Sequence, residues 1–137
     1  MSATGIRVQN IEDVAKQLPP DQPVVMLNLL RFRTHSAYES GSTFSEVSGA
    51  EAYGRYREAF GSIVKSLGVA ISIVYAGRAY PGMAAGVAKW DMIALVKYPD
   101  FAALRSVIES EEYKATAEPH RLAALEDWYF MPTTEGI

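Results

Sequence analysis

Asn28 stands in the middle of an apolar run, between Met26 and Leu30. If that run is buried, its amide must find partners, because an unpaired one costs about 1–3 kcal/mol. Two readings are open: an orienting group on the floor of a pocket, or an amide bonded to a neighbouring loop or helix end. Arg31 and Arg33 leave the same segment at its C-terminal end, on the face opposite Asn28, and His35 follows. Paired guanidiniums there could hold a substrate carboxylate in fork geometry, or make ion pairs at a dimer rim. Histidine is the side-chain type whose ordinary pKa lies nearest neutrality, so His35 is a candidate acid or base. It also lies in a polar stretch, where a histidine is commonly just solvated.

Tyr53, Tyr56 and Arg57 form a second group. Tyr53 and Arg57 are four apart and adjacent on a helix surface. A tyrosine can donate a proton or a hydrogen bond to an enolate or phenolate oxygen; the plainer reading is an aromatic core whose hydroxyls reach outward. If this face meets the strand where Asn28 emerges, a cleft lined by Asn28, Tyr53 and Arg57 results. Trp90 could wall such a pocket, or pack as core with a partner for its N–H. Asp91 could act as a base but is expected to pair with Arg78 or Arg121. Tyr98, Tyr113, His120 and Arg121 gather near the second helical region, as another polar cluster or as a lock. His35 and Tyr53 are thus the candidate catalytic residues. Asn28, Arg31, Arg33, Tyr56, Arg57 and Trp90 are the candidate substrate-binding ones.

Other chemistries are disfavoured. The chain has no cysteine, so disulfides, thiolate nucleophiles and Cys-ligated metals drop out. With two histidines and no metal-ligand spacing, no metal site is expected. No cofactor motif is found: Gly82 to Gly86 lacks the Lys-Ser/Thr ending of a phosphate loop. There is no Gly-x-Ser-x-Gly elbow. A net charge of −3, from 13 basic and 16 acidic residues spread along the chain, argues against nucleic acid as partner. No signal-like segment begins the sequence, and the run around Pro23 to Leu30 is too short to span a bilayer. A cytoplasmic protein without membrane contact is expected.

The elements that must position these residues alternate. A single domain over 1–137 is expected, with a helical extension over 1–22 and a long loop over 34–47. The extension carries a helix over Ile11 to Leu18, capped by Asn10 and stopped by Pro19-Pro20. Pro23 to Arg33 reads as the first strand. Ser48-Gly49-Ala50-Glu51 matches a capping box. Behind it Tyr53, Tyr56, Phe60, Ile63, Val64 and Leu67 recur at helical spacing, and Gly68 suits the left-handed C-terminal position. Val69 to Tyr80 and Ala88 to Tyr98 read as strands. Asp100 caps a helix carrying Phe101, Leu104 and Ile108, and Ser110 caps a continuation with Tyr113. Pro119 opens a short helix to Leu125, and Asp127 to Met131 is the last strand. After the extension the order is β-α-β-β-α-β, the ferredoxin-like α+β arrangement: a four-stranded antiparallel sheet with helices on one face.

One face covered by helices should give strands that alternate apolar and polar residues. These strands are apolar on both sides. Val25, Leu27 and Leu29 point one way, and Val24, Met26, Leu30 and Phe32 the other. Such an open face exceeds what a monomer normally exposes. Packing two sheets face to face gives a two-fold homodimer, unless 34–47 or the leading helix covers the face.

The chain also resembles the family called domain of unknown function 1330, in the dimeric α/β-barrel superfamily. The stretches that carry the likeness are residues 25–33 (VMLNLLRFR), 49–56 (GAEAYGRY), 90–99 (WDMIALVKYP), 110–113 (SEEY) and 120–125 (HRLAAL). The resemblance implies a ferredoxin-like fold and a dimeric α/β barrel made by facing sheets. It implies no settled activity, and fold alone does not fix one. Three readings remain. The first is a metal-free, cofactor-independent enzyme for a small organic acid, lactone or phenolic compound. The second is a non-catalytic binding module, and the third a purely structural dimer.

Overall fold

A computed structural model describes residues 8–83 and 89–136. The elements are α1 (Val8–Gln17), β1 (Val24–Phe32), α2 (Gly49–Leu67), β2 (Ser72–Arg78), β3 (Met92–Tyr98), α3 (Phe101–Ile108), a π-helical turn (Tyr113–Ala117), α4 (Glu118–Ala124) and β4 (Leu125–Thr133). The strands form one antiparallel sheet in the order β2-β3-β1-β4. This is an α+β architecture consistent with a ferredoxin-like fold.

Local signals set the helices. Ser48 Oγ accepts from the Glu51 N–H at 3.1 Å while Glu51 Oε1 accepts from the Ser48 N–H at 3.3 Å, the reciprocal capping box. Gly68 closes α2 at φ 69°. Asp100 caps α3 through the Ala103 N–H at 2.8 Å. Ser110 Oγ accepts from the Tyr113 N–H at 3.1 Å. The widened turn that follows has a cause in the sequence. Pro119 has no N–H to give to Ala115, and the Glu118 N–H reaches back to the Tyr113 carbonyl, the spacing of a π turn.

Several expected boundaries shift. α1 begins at Val8, so Asn10 lies inside the helix and not at its cap. β2 starts at Ser72, not Val69, and stops at Arg78. β3 starts at Met92, so Trp90 and Asp91 precede it, and Ala88 lies outside the described residues. β4 is longer than expected because it pairs along β1 from Phe32 to Val25. Apolar composition extended these strands on paper; pairing with a neighbour decides where they end.

The two sheet faces have different fates. Val24, Met26 and Leu30 of β1 are buried beneath Tyr53, Tyr56, Ile63, Leu104 and Val107 of α2 and α3. On the other face, pairing aligns Tyr75, Leu95, Leu27 and Met131 in one row and Gly77, Ile93, Leu29 and Tyr129 in the next. Neither α1 nor the 34–47 loop covers that face. α1 buries Ile11 in the helix-side core and pairs Glu12 with Arg105 of α3. The loop bonds to α4 through the Ala37 N–H and the Ala123 carbonyl at 2.9 Å. Tyr75 and Tyr129 stay 54% and 52% exposed. Gly49, at the loop's end, lies so close to the Arg33 backbone that an added Cβ would collide with its carbonyl oxygen.

Candidate functional site

The inner face carries its lowest row at the centre of the sheet. Ala76, Ala94 and Asn28 are aligned across β2, β3 and β1, and two alanines leave space that larger residues would fill. α2 passes above and presents Tyr53, Tyr56, Arg57 and Phe60, spaced 0, 3, 4 and 7 along one helical face. Between them lies a cavity of about 210 Å³, completed by Ile108, Tyr113 and Arg121. Ile73 at its β2 side is 57% exposed, which makes that edge the mouth. The volume lies below the roughly 300–1,000 Å³ of drug-sized sites, so a ligand here is compact.

Asn28 is 8% exposed. Its Nδ2 donates to the carbonyls of Met26 at 3.3 Å and Ala94 at 3.4 Å. Those bonds hold the amide to its own sheet, and Oδ1 accepts none among the described residues. Tyr56 and Tyr113 share a hydroxyl–hydroxyl bond of 3.1 Å. The Tyr53 hydroxyl has no protein partner among the described residues. Burial raises the pKa of Tyr53, Tyr56, Tyr98 and Tyr113, and for Tyr56 the neighbouring Tyr113 adds to the effect of burial. All are therefore neutral phenols at physiological pH: donors of hydrogen bonds, not bases. Arg121 lies 5.4 Å from the Trp128 ring centroid and 5.7 Å from that of Phe130, and its Nη2 is buried without a partner among the described residues.

The remaining residues singled out in the sequence lie elsewhere. Arg31 pairs with Glu126 at 2.9 Å on the surface. His35 is exposed and faces Glu46 at 3.8 Å. Arg33 buries its Nε without a partner among the described residues, away from the cavity. Trp90 does not line the cleft. Asp91 pairs with neither Arg78 nor Arg121; its Oδ2 accepts from the Phe32 N–H at 2.8 Å, closing the end of β1. The expected cluster of Tyr98, Tyr113, His120 and Arg121 is divided. Tyr98, Tyr113 and Arg121 join the cleft, and His120 turns to the long loop.

That loop holds a second constellation, which the sequence reading missed. Arg55 Nη1 donates to the Tyr38 hydroxyl at 3.1 Å, and that hydroxyl lies 2.7 Å from His120 Nδ1. The tyrosine oxygen accepts from arginine, and with a neutral imidazole whose Nδ1 is unprotonated its own proton can go to Nδ1. Burial and then the Arg55 charge lower the His120 pKa accordingly. Arg55 also donates to the Ser45 carbonyl at 3.1 Å and faces the Tyr38 and Phe44 rings. An arginine on the capped helix, facing a loop tyrosine, was the available signal.

A four-stranded antiparallel sheet, helices against one face and a small cleft between them define a small α+β protein with room for a compact ligand. The chain belongs to the family described as domain of unknown function (DUF1330), whose model matches residues 37–133. Two crystal structures are similar along its length. The methylated RPA0582 protein is 28% identical with a TM-score of 0.81, over 100% of this chain and 98% of that one. The RPA0582 protein of unknown function from Rhodopseudomonas palustris is 28% identical with a TM-score of 0.80, over 98% and 99%. A search of curated proteins finds no match. Among the described residues there is no helix long and apolar enough to cross a membrane, and no group of three or more His, Cys, Asp or Glu suited to a metal.

Proposed function

We propose that this protein binds a compact organic acid, lactone or phenolic compound in the cleft between the sheet and α2, and works as a homodimer. The observation that carries the first part is the convergence of Asn28, Arg57, Arg121 and four tyrosines on a cavity of about 210 Å³ whose other walls are apolar. Two readings differ in what happens to the ligand. In one, the protein is an enzyme without metal or cofactor, in which tyrosine hydroxyls and a guanidinium stabilise negative charge developing on a carbonyl or phenolic oxygen. In the other, it binds and releases. The second is favoured by the lining itself, which holds no group that titrates near neutrality to move a proton. His35, the candidate acid or base, lies outside it.

The homodimer rests on the outer sheet face. Leu27, Leu29, Ile93, Leu95 and Met131 lie there in adjacent rows with Tyr75 and Tyr129, and a second copy presenting the same rows would cover them. The resulting facing sheets would be the dimeric α/β barrel that the sequence resemblance implies. Screening small acids, lactones and phenols by thermal shift, then following each stabilising compound for conversion by mass spectrometry, tests the function. Stabilisation with turnover supports the enzyme, and stabilisation alone the binding protein. No stabilisation by any compound defeats both and leaves a structural dimer. Sedimentation tests the assembly: a 15.0 kDa particle at micromolar concentration ends the dimer.

A further inference from the structure

We infer that the ligand is a compact monocarboxylate whose anionic end is held by the Arg121 guanidinium. The inference rests on the small-molecule reading of the cleft and narrows it from acids, lactones and phenols to acids.

Arg121 is 4% exposed and lines the cavity from α4. A charge so deep is costly unless something pairs with it. Nothing in the protein does, among the described residues: every ion pair found there involves another residue and lies partly or fully at the surface. Glu118, three residues earlier on the same helix, feels the Arg121 charge but makes no ion pair with it. The rings of Trp128 and Phe130 engage the guanidinium as a cation. They do not use its in-plane donors, and Nη2 has no partner. Parallel N–H donors on a planar fork match the two oxygens of a carboxylate. A lactone or neutral phenol supplies no compensating charge.

The rest of the lining agrees with an acid. Tyr53, Tyr56 and Tyr113 offer phenolic donors and no negative charge, and no aspartate or glutamate lines the space to repel an anion. Arg57 is exposed, and its guanidinium sits 5.9 Å from the Tyr53 ring centroid. It adds a second positive charge on the approach to the cleft. The single buried cation asks for a single carboxylate. Phe60, Val96, Ala94 and Ile73 surround the remainder with apolar surface, so the body of the ligand is apolar. Arg33 also buries an unpartnered nitrogen, but no described cavity opens onto it.

Isothermal titration of the full chain with acetate, isobutyrate, benzoate and phenylacetate, each beside its uncharged amide, tests the assignment. At least one acid is expected to bind tenfold or more tightly than its amide. Arg121→Met should weaken that acid at least tenfold and change amide binding less than about twofold. The acid–amide ratio is measured in the unmodified protein, so it decides even if the variant does not fold. Equal affinity for acids and amides overturns the inference. So does acid binding that survives Arg121→Met. If the amides bind equally well and Ala94→Phe, which fills the floor, abolishes both, the cleft reading stands and only the acid falls. No binding by any of the eight overturns the two together.

Discussion

The protein contains two arginine–tyrosine constellations, each built from α2 and α4, and they end differently. At the loop, Arg55 is met by the Tyr38 hydroxyl, the Ser45 carbonyl and the Ser45 hydroxyl, and Tyr38 by His120. In the cleft, Arg121 lies against aromatic rings with a nitrogen unmet, and the Tyr53 hydroxyl has no partner among the described residues. The residue types are alike. What differs is whether the protein supplies the other half of each hydrogen bond. Where it does, the constellation fastens residues 34–47 to the helices. Where it does not, the same chemistry is left for a ligand.

The largest expected separation comes from removing each charge while keeping its volume. Arg121→Met takes an unpaired cation out of an apolar environment, and such replacements are often stabilising. The ligand-free protein should gain about 1–2 kcal/mol, the lost cation–π contact being offset in part by sulfur–aromatic contact. Arg55→Met instead strips several partners at once and should lose about 1–2 kcal/mol. Urea denaturation of the two variants, compared by midpoint at equal slope, checks the opposite signs. If Arg121→Met destabilises as much as Arg55→Met, both arginines fasten the fold and the distinction collapses.

A single oxygen sharpens the same contrast. Tyr38→Phe leaves His120 Nδ1 and Arg55 without their shared partner and should cost about 1–2 kcal/mol, with acid binding in the cleft unaltered. Tyr53→Phe removes a hydroxyl that bonds to none of the described residues, so stability should move by less than about 0.5 kcal/mol. Its effect should appear in titrations, as weaker binding of the acid. Tyr53→Phe that destabilises more than Tyr38→Phe would reverse the assignment of the two clusters.

How much of this was legible beforehand follows the same division between local and distant. α2 was readable in detail, because its capping box, its aromatic spacing and Gly68 act within a few residues of one another. The meeting of Asn28 with Tyr53 and Arg57 was readable as a condition, since an apolar helix face must turn to the sheet. Arg121 was legible as a companion of Tyr98 and Tyr113, but not as a wall of the cleft of Asn28 and Tyr53. Nothing local tells which side of the α4 turn faces the cleft, and the π turn ahead of it depends on how Pro119 is accommodated. The Tyr38–His120 bond joins residues 82 apart in sequence, and no spacing rule reaches that far. Strand ends were overdrawn because apolar content extends beyond the residues that find a pairing neighbour.

The smallest expected effect tests the loop constellation by proton alone. The folded protein holds His120 below its ordinary pKa of 6.5, through burial first and the Arg55 charge second, while the unfolded chain titrates near the ordinary value. Between the two values the unfolded state carries more protons than the folded one. Stability therefore rises with pH through that window and falls as pH drops below about 6.5. The groups that face the ring agree with this sign: the Tyr38 hydroxyl lies 2.7 Å from Nδ1, Phe44 meets the ring edge-on at 4.4 Å and Arg55 adds positive charge. No carboxylate among its described contacts would favour the imidazolium. Denaturation midpoints between pH 7.5 and 5.5 should decline in the unmodified protein and decline less in His120→Gln, which keeps an amide acceptor for Tyr38. His35 is the other histidine of the chain and lies exposed at the surface, so His35→Gln serves as the control for the loss of a histidine as such. An identical slope in His120→Gln and the unmodified protein would mean that the tyrosine, not the histidine, is the group the loop relies on.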